Sequence, residues 1–167
     1  APDFVDWRAQ SRTLDLAALQ TYNANLTGID EPERVTAGRV TANYFTTLGV
    51  RPMIGRVFTA DEEPAGAAHV VVLTEAFWRN RLGGDPTALG RTVTLDDMPY
   101  TIVGVMGPAA QGLENGENLW VPLALSRDEL AATGARFLDV AARLRPGITR
   151  ARANDELQTI AARLEDV

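Results

Sequence analysis

Val70-Val71-Val72-Leu73 is the tightest local constraint in this chain. Three β-branched residues in succession disfavour helix, and a short apolar run between polar neighbours reads as a buried strand. Thr74 can then cap a helix, Glu75 falls at its positive end, and Gly83 with Gly84 stops it. A strand-to-helix unit follows from these residues alone. Beyond it, Thr92 and Thr94 alternate with Val93 and Leu95. After Asp96-Asp97 a second arm, Tyr100-Thr101-Ile102-Val103-Gly104-Val105, completes a hairpin.

Upstream, Pro2 and Asp3 suit a first helical turn, and Phe4, Trp7 and Arg8 follow at helical spacing to about Ser11. From Leu14 to about Leu26 the pattern alternates as in a long strand, although Ala and Leu also suit a helix. Gly28 to Pro32 turns the chain, and Val35, Ala37 and Arg39 then alternate with Thr36, Gly38 and Val40. That predicts a second strand paired with the first. Asn43 is expected to cap a short helix carrying Tyr44, Phe45 and Leu48, stopped by Gly49. Pro52, Gly55, Pro64 and Gly66 divide the next segment into loops, with Asp61-Glu62-Glu63 as a solvated acidic turn.

Downstream, Gly107 to Asn118 reads as an exposed loop. Leu119-Trp120-Val121 reads as a short strand that Pro122 either confines to an edge or terminates. Ser126-Arg127-Asp128-Glu129 has capping-box spacing. Phe137 to Leu144 alternates, with Leu138, Val140, Ala142 and Leu144 on one face. Pro146-Gly147 turns the chain, and Thr149 caps a last helix with the stripe Ala153, Leu157, Ile160 and Leu164. A strand, a turn and a long helix call for a returning strand, from beyond this segment or from the N-terminal region.

Composition excludes several chemistries. All 16 basic residues are Arg, so lysine-dependent phosphate loops and Schiff bases are absent. No cysteine is present, which removes disulfides, thiolate nucleophiles and cysteine metal sites. A net charge of −6 opposes a nucleic-acid or anionic-lipid surface. No apolar run approaches the ~18 residues needed to cross a bilayer, and no charged-then-apolar leader opens the chain. At 167 residues with 46% hydrophobic content, one unit or two small subdomains can bury a core.

The remaining candidates are sparse. His69 has neither a second His nor a Cys to join it in a metal site or triad. Acidic pairs occur at Asp61-Glu62-Glu63, Asp96-Asp97, and Glu114 with Glu117, all in expected turns rather than across a cleft. The Glu114–Asn118 loop lacks the spaced oxygens of a calcium loop. Trp7, Trp78 and Trp120 could form a sugar platform but suit core positions better. Arg143, Arg145, Arg150 and Arg152 cluster around one turn, and Asn25-Leu26-Thr27 fits a glycosylation pattern.

Six short motifs occur in order: Asn43-Tyr44-Phe45, Leu48-Gly49-Val50-Arg51-Pro52, Gly55-Arg56-Val57-Phe58-Thr59, Gly83-Gly84-Asp85-Pro86, Leu89-Gly90-Arg91 and Tyr100 through Met106. Together they resemble the periplasmic core domain of MacB-type ABC permeases, and most nearly the orphan permeases of the FtsX/MacB superfamily whose ATPase is a separate chain. The resemblance implies an α+β fold with mixed and antiparallel sheets and short helices. It further implies a porter-like α/β subdomain from residues 1–42 with 119–167, and an inserted β-rich subdomain over 43–118.

The same resemblance implies a non-catalytic extracytoplasmic domain of an inner-membrane permease, with no cofactor. Such a domain relays ATPase-driven movement to a substrate or periplasmic partner in export. Its expected partners are a separate ATPase subunit, a second permease copy and a periplasmic adaptor, with no nucleic acid. Asn43, Gly55, Arg56, Asp85, Pro86, Gly90, Arg91, Tyr100 and Gly104 are its structural motif matches. The family hairpin commonly turns on Asp-Gly, so Asp96-Asp97 implies a different or longer turn. A secreted peptide- or glycan-binding module using the Gly107–Asn118 loop is the alternative from another class, and a glycosidase using the acidic pairs is a third reading. In a permease, the two ends of the domain are expected close together.

Overall fold

The valine run is buried at every position, and the other strands are laid around it. A computed structural model describes residues 2–110, 116–132 and 137–165. Its strands are β1 (Leu14–Thr27), β2 (Glu33–Val40), β3 (Pro52–Gly55), β4 (Val70–Thr74), β5 (Thr92–Leu95), β6 (Met98–Met106), β7 (Leu119–Pro122) and β8 (Asp139–Leu144). Its α-helices are α1 (Pro2–Gln10), α2 (Tyr44–Leu48), α3 (Glu75–Leu82), α4 (Arg127–Ala131) and α5 (Arg150–Glu165). The fold is α+β, with one mixed sheet and short helices.

Sheet order runs β2-β7-β4-β6-β5-β1-β8, and β2 also pairs with β1. Six strands therefore return on themselves as a small barrel. β1 joins β2 antiparallel from Leu19↔Val40 to Leu26↔Glu33. Its seam with β5 is only two residue pairs long, Leu26↔Leu95 and Thr27↔Thr94. The first half of β1 leaves the barrel and pairs with β8 from Leu14↔Leu144 to Leu19↔Asp139.

Three apolar clusters follow from this path. The barrel interior takes alternate residues of every wall strand, including Leu26, Ala37, Leu73, Leu95, Ile102 and Leu119. Phe77, Trp78 and Leu82 of α3 join the same cluster, covering the end where β4 finishes. Outside the wall, Trp120, Phe45, Phe58, Val72 and Met106 form a second cluster. Trp120 meets Phe45 edge-on at 5.2 Å, in space left by Gly38 on β2. A third cluster packs α1 and α5 on the first half of β1 through Phe4, Leu14, Leu16, Ala18, Leu123 and Ala153. Both faces of that half-strand are covered, which is why its burial is almost continuous.

Several local expectations hold. Thr74 accepts from the Phe77 amide at 3.1 Å, and Gly83 ends α3 at φ 64°. Ser126 and Glu129 form a reciprocal capping box. Thr149 accepts from the Arg152 amide at 3.2 Å. In α5, Ala153 and Ile160 are buried.

Others need correction. Pro52–Gly55, expected as loop, is strand β3 on β6, too short and too bounded by Pro and Gly to show periodicity. Asn43 occupies the N-cap of α2 but makes no side-chain cap, donating instead to the Leu16 carbonyl at 2.9 Å. The β5–β6 turn is neither different nor longer. Asp96 and Asp97 both take positive φ, 47° and 65°, in a two-residue turn between paired Leu95 and Met98.

Docking on β1 secures that turn, for the Asp96 carboxylate accepts from the Asn25 amide and the Asp96 amide donates to the Asn25 carbonyl, both at 2.9 Å. β7 is an interior strand between β2 and β4, so Pro122 terminates it rather than marking an edge. The expected Gly107–Asn118 loop is buried at Ala110 and Glu117. On β8 the expected inward face is incomplete, since Val140 stays 50% exposed. Ala1 and Val167 lie outside the described residues, although α1 and α5 touch. No helix among the described residues is long and apolar enough to cross a membrane.

Candidate functional site

The motif residues divide between a backbone crossing and a turn. Gly55 and Gly104 face each other where β3 meets β6. A Cβ on Gly104 would collide with the Arg56 carbonyl, and one on Gly55 with the Val103 carbonyl. The Arg56 amide donates to the Val103 carbonyl at 2.9 Å, and its guanidinium grips Glu62 with two bonds of 2.7 and 2.9 Å. That grip holds the Glu62 carboxyl below its ordinary range and raises the Arg56 guanidinium.

Asp85 caps the 3-10 turn that Pro86 begins, accepting from the Thr87 amide and hydroxyl at 2.8 Å. Its carbonyl accepts from the Trp78 indole at 2.9 Å. Gly90 and Arg91 clamp Ile102 of β6 by amide and carbonyl at 2.8 and 2.9 Å. These seven residues thus hold the path from α3 into the hairpin and the β3–β6 crossing. Asn43 ties α2 to β1, and Tyr100 alone of the nine lines a cleft.

Readings that required convergence find none. Glu62 pairs with Arg56, while Glu63 pairs with Arg8 and accepts from the Ala42 amide, so the acidic turn is spent on separate partners. Glu117 is buried and accepts from Thr21 at 2.6 Å. Glu114 lies outside the described residues. Among those described, no group of His, Asp or Glu could hold a metal ion. Trp7, Trp78 and Trp120 sit in three different clusters and form no platform. Arg143 donates to the Thr47 carbonyl and Arg145 to Asp15, so the Arg cluster is partly structural.

Two ionic devices were not legible from spacing. Glu156 on α5 accepts from Ser11, from the Arg12 and Thr13 amides, and from the Thr13 hydroxyl. These donors, led by the Thr13 hydroxyl, bring its carboxyl down to about 2. Arg39 on β2 holds Glu129 of α4 and the carbonyls of Leu123 and Ala124. The Arg39 bonds bring Glu129 to about 2 as well. One signal did exist: Arg39 follows Val35 and Ala37 on the same face of β2.

Opposite α3, the barrel stays open. Gln20, Tyr22, Arg39, Tyr100 and Val121 line a cleft of about 420 Å³ there, with Pro122 and Ala124 at its lip. Burial, followed by the Tyr100 and Asp96 charges, pushes the Tyr22 phenol up to about 12. Burial also raises Tyr100. Tyr100 is stacked by His69 at 4.9 Å and 21°. Ala124 takes a left-handed conformation, φ 43°, rare for a residue with a side chain.

Comparison with known proteins gives consistent matches. The family described as MacB-like periplasmic core domain matches residues 2–160. The macrolide export ATP-binding/permease protein MacB of Burkholderia cenocepacia is 29% identical over 121 residues, 71% of this chain and 17% of that protein. Its counterpart in Burkholderia thailandensis is 31% identical over 117 residues, 68% of this chain and 18% of that protein. The chain therefore spans under a fifth of the length of these curated relatives.

Among solved structures, the periplasmic region of MacB from Actinobacillus actinomycetemcomitans aligns with a TM-score of 0.75 at 19% identity, covering 97% of this chain and 72% of that one. The extracellular domain of the noncanonical ABC-type transporter YknZ from Gram-positive bacteria gives 0.65 at 17% identity, covering 97% and 79%. At these identities the structural likeness is one of fold.

Proposed function

The chain belongs to the MacB-like periplasmic core domain family, and on that premise we propose that it is the extracytoplasmic domain of an ABC-type permease in the inner membrane. In this reading it performs no chemistry of its own. ATP is hydrolysed on a separate subunit, the permease works with a second copy of itself, and the domain passes the resulting movement to a substrate or a periplasmic adaptor during export. The observation that carries the reading is a family match over nearly the whole chain, residues 2–160.

Physically, a relay asks for stiffness rather than a reactive centre, because packed cores switch between arrangements instead of deforming continuously. The closed barrel, and the tie that Glu156 makes from α5 to the junction of α1 and β1, suit that demand. We also propose the division of residues 1–42 with 119–167 from residues 43–118. Among the described residues, every member of the α1–α5 cluster comes from the two end segments, which supports it. The nine motif residues then act through structure.

Two measurements test the reading. Alkaline phosphatase inserted at Gly66, an exposed turn with open space around it, should be active in cells making the parent protein. An inactive insert, with a cytoplasmic reporter active at the same site, would place the domain on the wrong side. Movement is read by spin labels on introduced cysteines, this chain having none of its own. Labels at the exposed residues Thr46 and Arg152 of one domain should keep their separation between nucleotide-free and nucleotide-trapped transporter, while the same label in two copies changes its distance. A static distance between copies would remove the relay.

A further inference from the structure

The open mouth of the barrel plays no part in the proposed relay, yet its chemistry is specific. Tyr22 and Tyr100 bring two aromatic rings to its lining, and neither phenol is bonded to another described residue. Gln20 gives its amide oxygen to Arg39 at 2.9 Å, leaving its amide N–H groups for the cleft. Arg39 is neutralised by Glu129 and spends its donors on Gln20 and the Leu123 and Ala124 carbonyls, so it offers little to an incoming anion. No carboxylate is among the lining residues, and Asp96, whose charge reaches both phenols, is engaged by the Asn25 amide.

The cleft is therefore near neutral, aromatic on its faces and equipped with hydroxyl and amide groups. With the Tyr22 phenol at about 12 and Tyr100 raised too, both stay protonated at neutral pH and can donate as well as accept. A volume of about 420 Å³ falls in the range of small-molecule sites.

Its walls are also held in place. His69 stacks on Tyr100 and helps hold that ring. At the lip, Ala124 keeps its left-handed backbone because its amide donates to the Glu63 carbonyl at 3.0 Å and its own carbonyl accepts from Arg39 at 3.2 Å. Backbone strain of this kind concentrates at ligand clamps and switch regions. Ala124 also lines two further hollows, one beside His69 and one beside Arg8 and Leu130.

We propose that this mouth binds a neutral sugar ring, with the apolar C–H face of the pyranose laid on Tyr100 or Tyr22 and its hydroxyls hydrogen-bonded by the phenols and the Gln20 amide. A pyranose has an apolar face and a hydroxylated rim, and a tyrosine-lined cleft with neutral polar groups matches both. An anion, a cation or a flat hydrocarbon would each leave part of this lining unused or unpaired. The site goes beyond the permease reading and stands or falls separately from it.

The test is an amide-resolved NMR titration of the 167-residue chain with the N-acetylglucosamine trimer, an uncharged probe. Shifts should concentrate at Tyr22, Arg39, Tyr100 and Ala124. Tyr100→Ala should weaken binding by about tenfold or more, as loss of an aromatic platform does. Tyr22→Phe, which keeps the ring and the fold, and Gln20→Ala should each cost about three- to tenfold, one neutral hydrogen bond apiece.

Unperturbed shifts at the barrel amides far from the mouth confirm that each variant remains folded. Absence of shifts at these residues with the trimer at tens of millimolar overturns the proposal, as does binding that all three variants leave unchanged. A stronger response at the same residues to inorganic phosphate, to tetramethylammonium or to indole overturns it too, by assigning the cleft to another class of ligand.

Discussion

Gly104 lies directly beneath the Arg56 carbonyl, and the space for a single methyl group is missing. Gly104→Ala should therefore cost about 1–3 kcal/mol in urea unfolding, the usual penalty of overpacking a closed contact. Gly90 has a positive φ, 85°, but open space around it, so Gly90→Ala should cost only about 1–2 kcal/mol, for conformation alone. Equal losses at the two sites would show that the crossing is not a steric constraint. Resemblance marked Gly55, Arg56 and Gly104 in the sequence, but no local pattern could give the reason, because each glycine's obstacle belongs to a segment distant in sequence. Glu156 makes a pH-dependent prediction. Its folded carboxyl sits at about 2 against an ordinary 4.5, so its stabilisation is complete above about 4.5 and fades as pH falls toward 2. Glu156→Gln should thus lower the urea midpoint at pH 7, with the gap to the parent chain narrowing between pH 4.5 and 3. A gap constant with pH would remove the carboxylate from the account.

Elements whose signals are contiguous were legible. The β4–α3 unit follows from four apolar residues, a threonine cap and a glycine stop, and the structure keeps all three. Elements defined by a distant partner were not: β3 becomes a strand only because β6 runs beside it, and β7 is central only because β2 and β4 flank it. In the hairpin, two aspartates do the work usually given to Asp-Gly, helped by the bonds from Asp96 to Asn25. Asp97 has no such bond among the described residues and still holds φ 65°. Asp97→Gly should therefore raise stability by up to about 1 kcal/mol in thermal unfolding, and a loss would mean the carboxylate has a task not seen here. Helix α4 is a single short turn of chain, attached by Glu129 to Arg39. Arg39→Gln should release it, so hydrogen exchange at Leu130 and Ala132 speeds up at least tenfold while the β4 amides stay protected. Unchanged exchange at α4 would mean its own capping box suffices.

On the scale of the whole molecule, β1 is the member common to all three clusters, since its first half serves the helical layer and the outer wall while its second half lines the barrel. No window of the sequence could reveal that sharing, because it depends on where a long strand leaves one partner for another. If the domain relays movement, weakening the junction should uncouple it. The assembled transporter carrying Glu156→Ala should hydrolyse ATP at near its normal rate while exporting less, and export falling in step with hydrolysis would count against a relay at α1 and α5. The placement of the indoles has a practical consequence: Trp7 belongs to the helical layer, Trp78 to the barrel and Trp120 to the outer wall. Each cluster thus carries one indole fluorophore. Chains keeping a single tryptophan, with phenylalanine at the other two sites, would report by emission colour which part of the molecule loosens first.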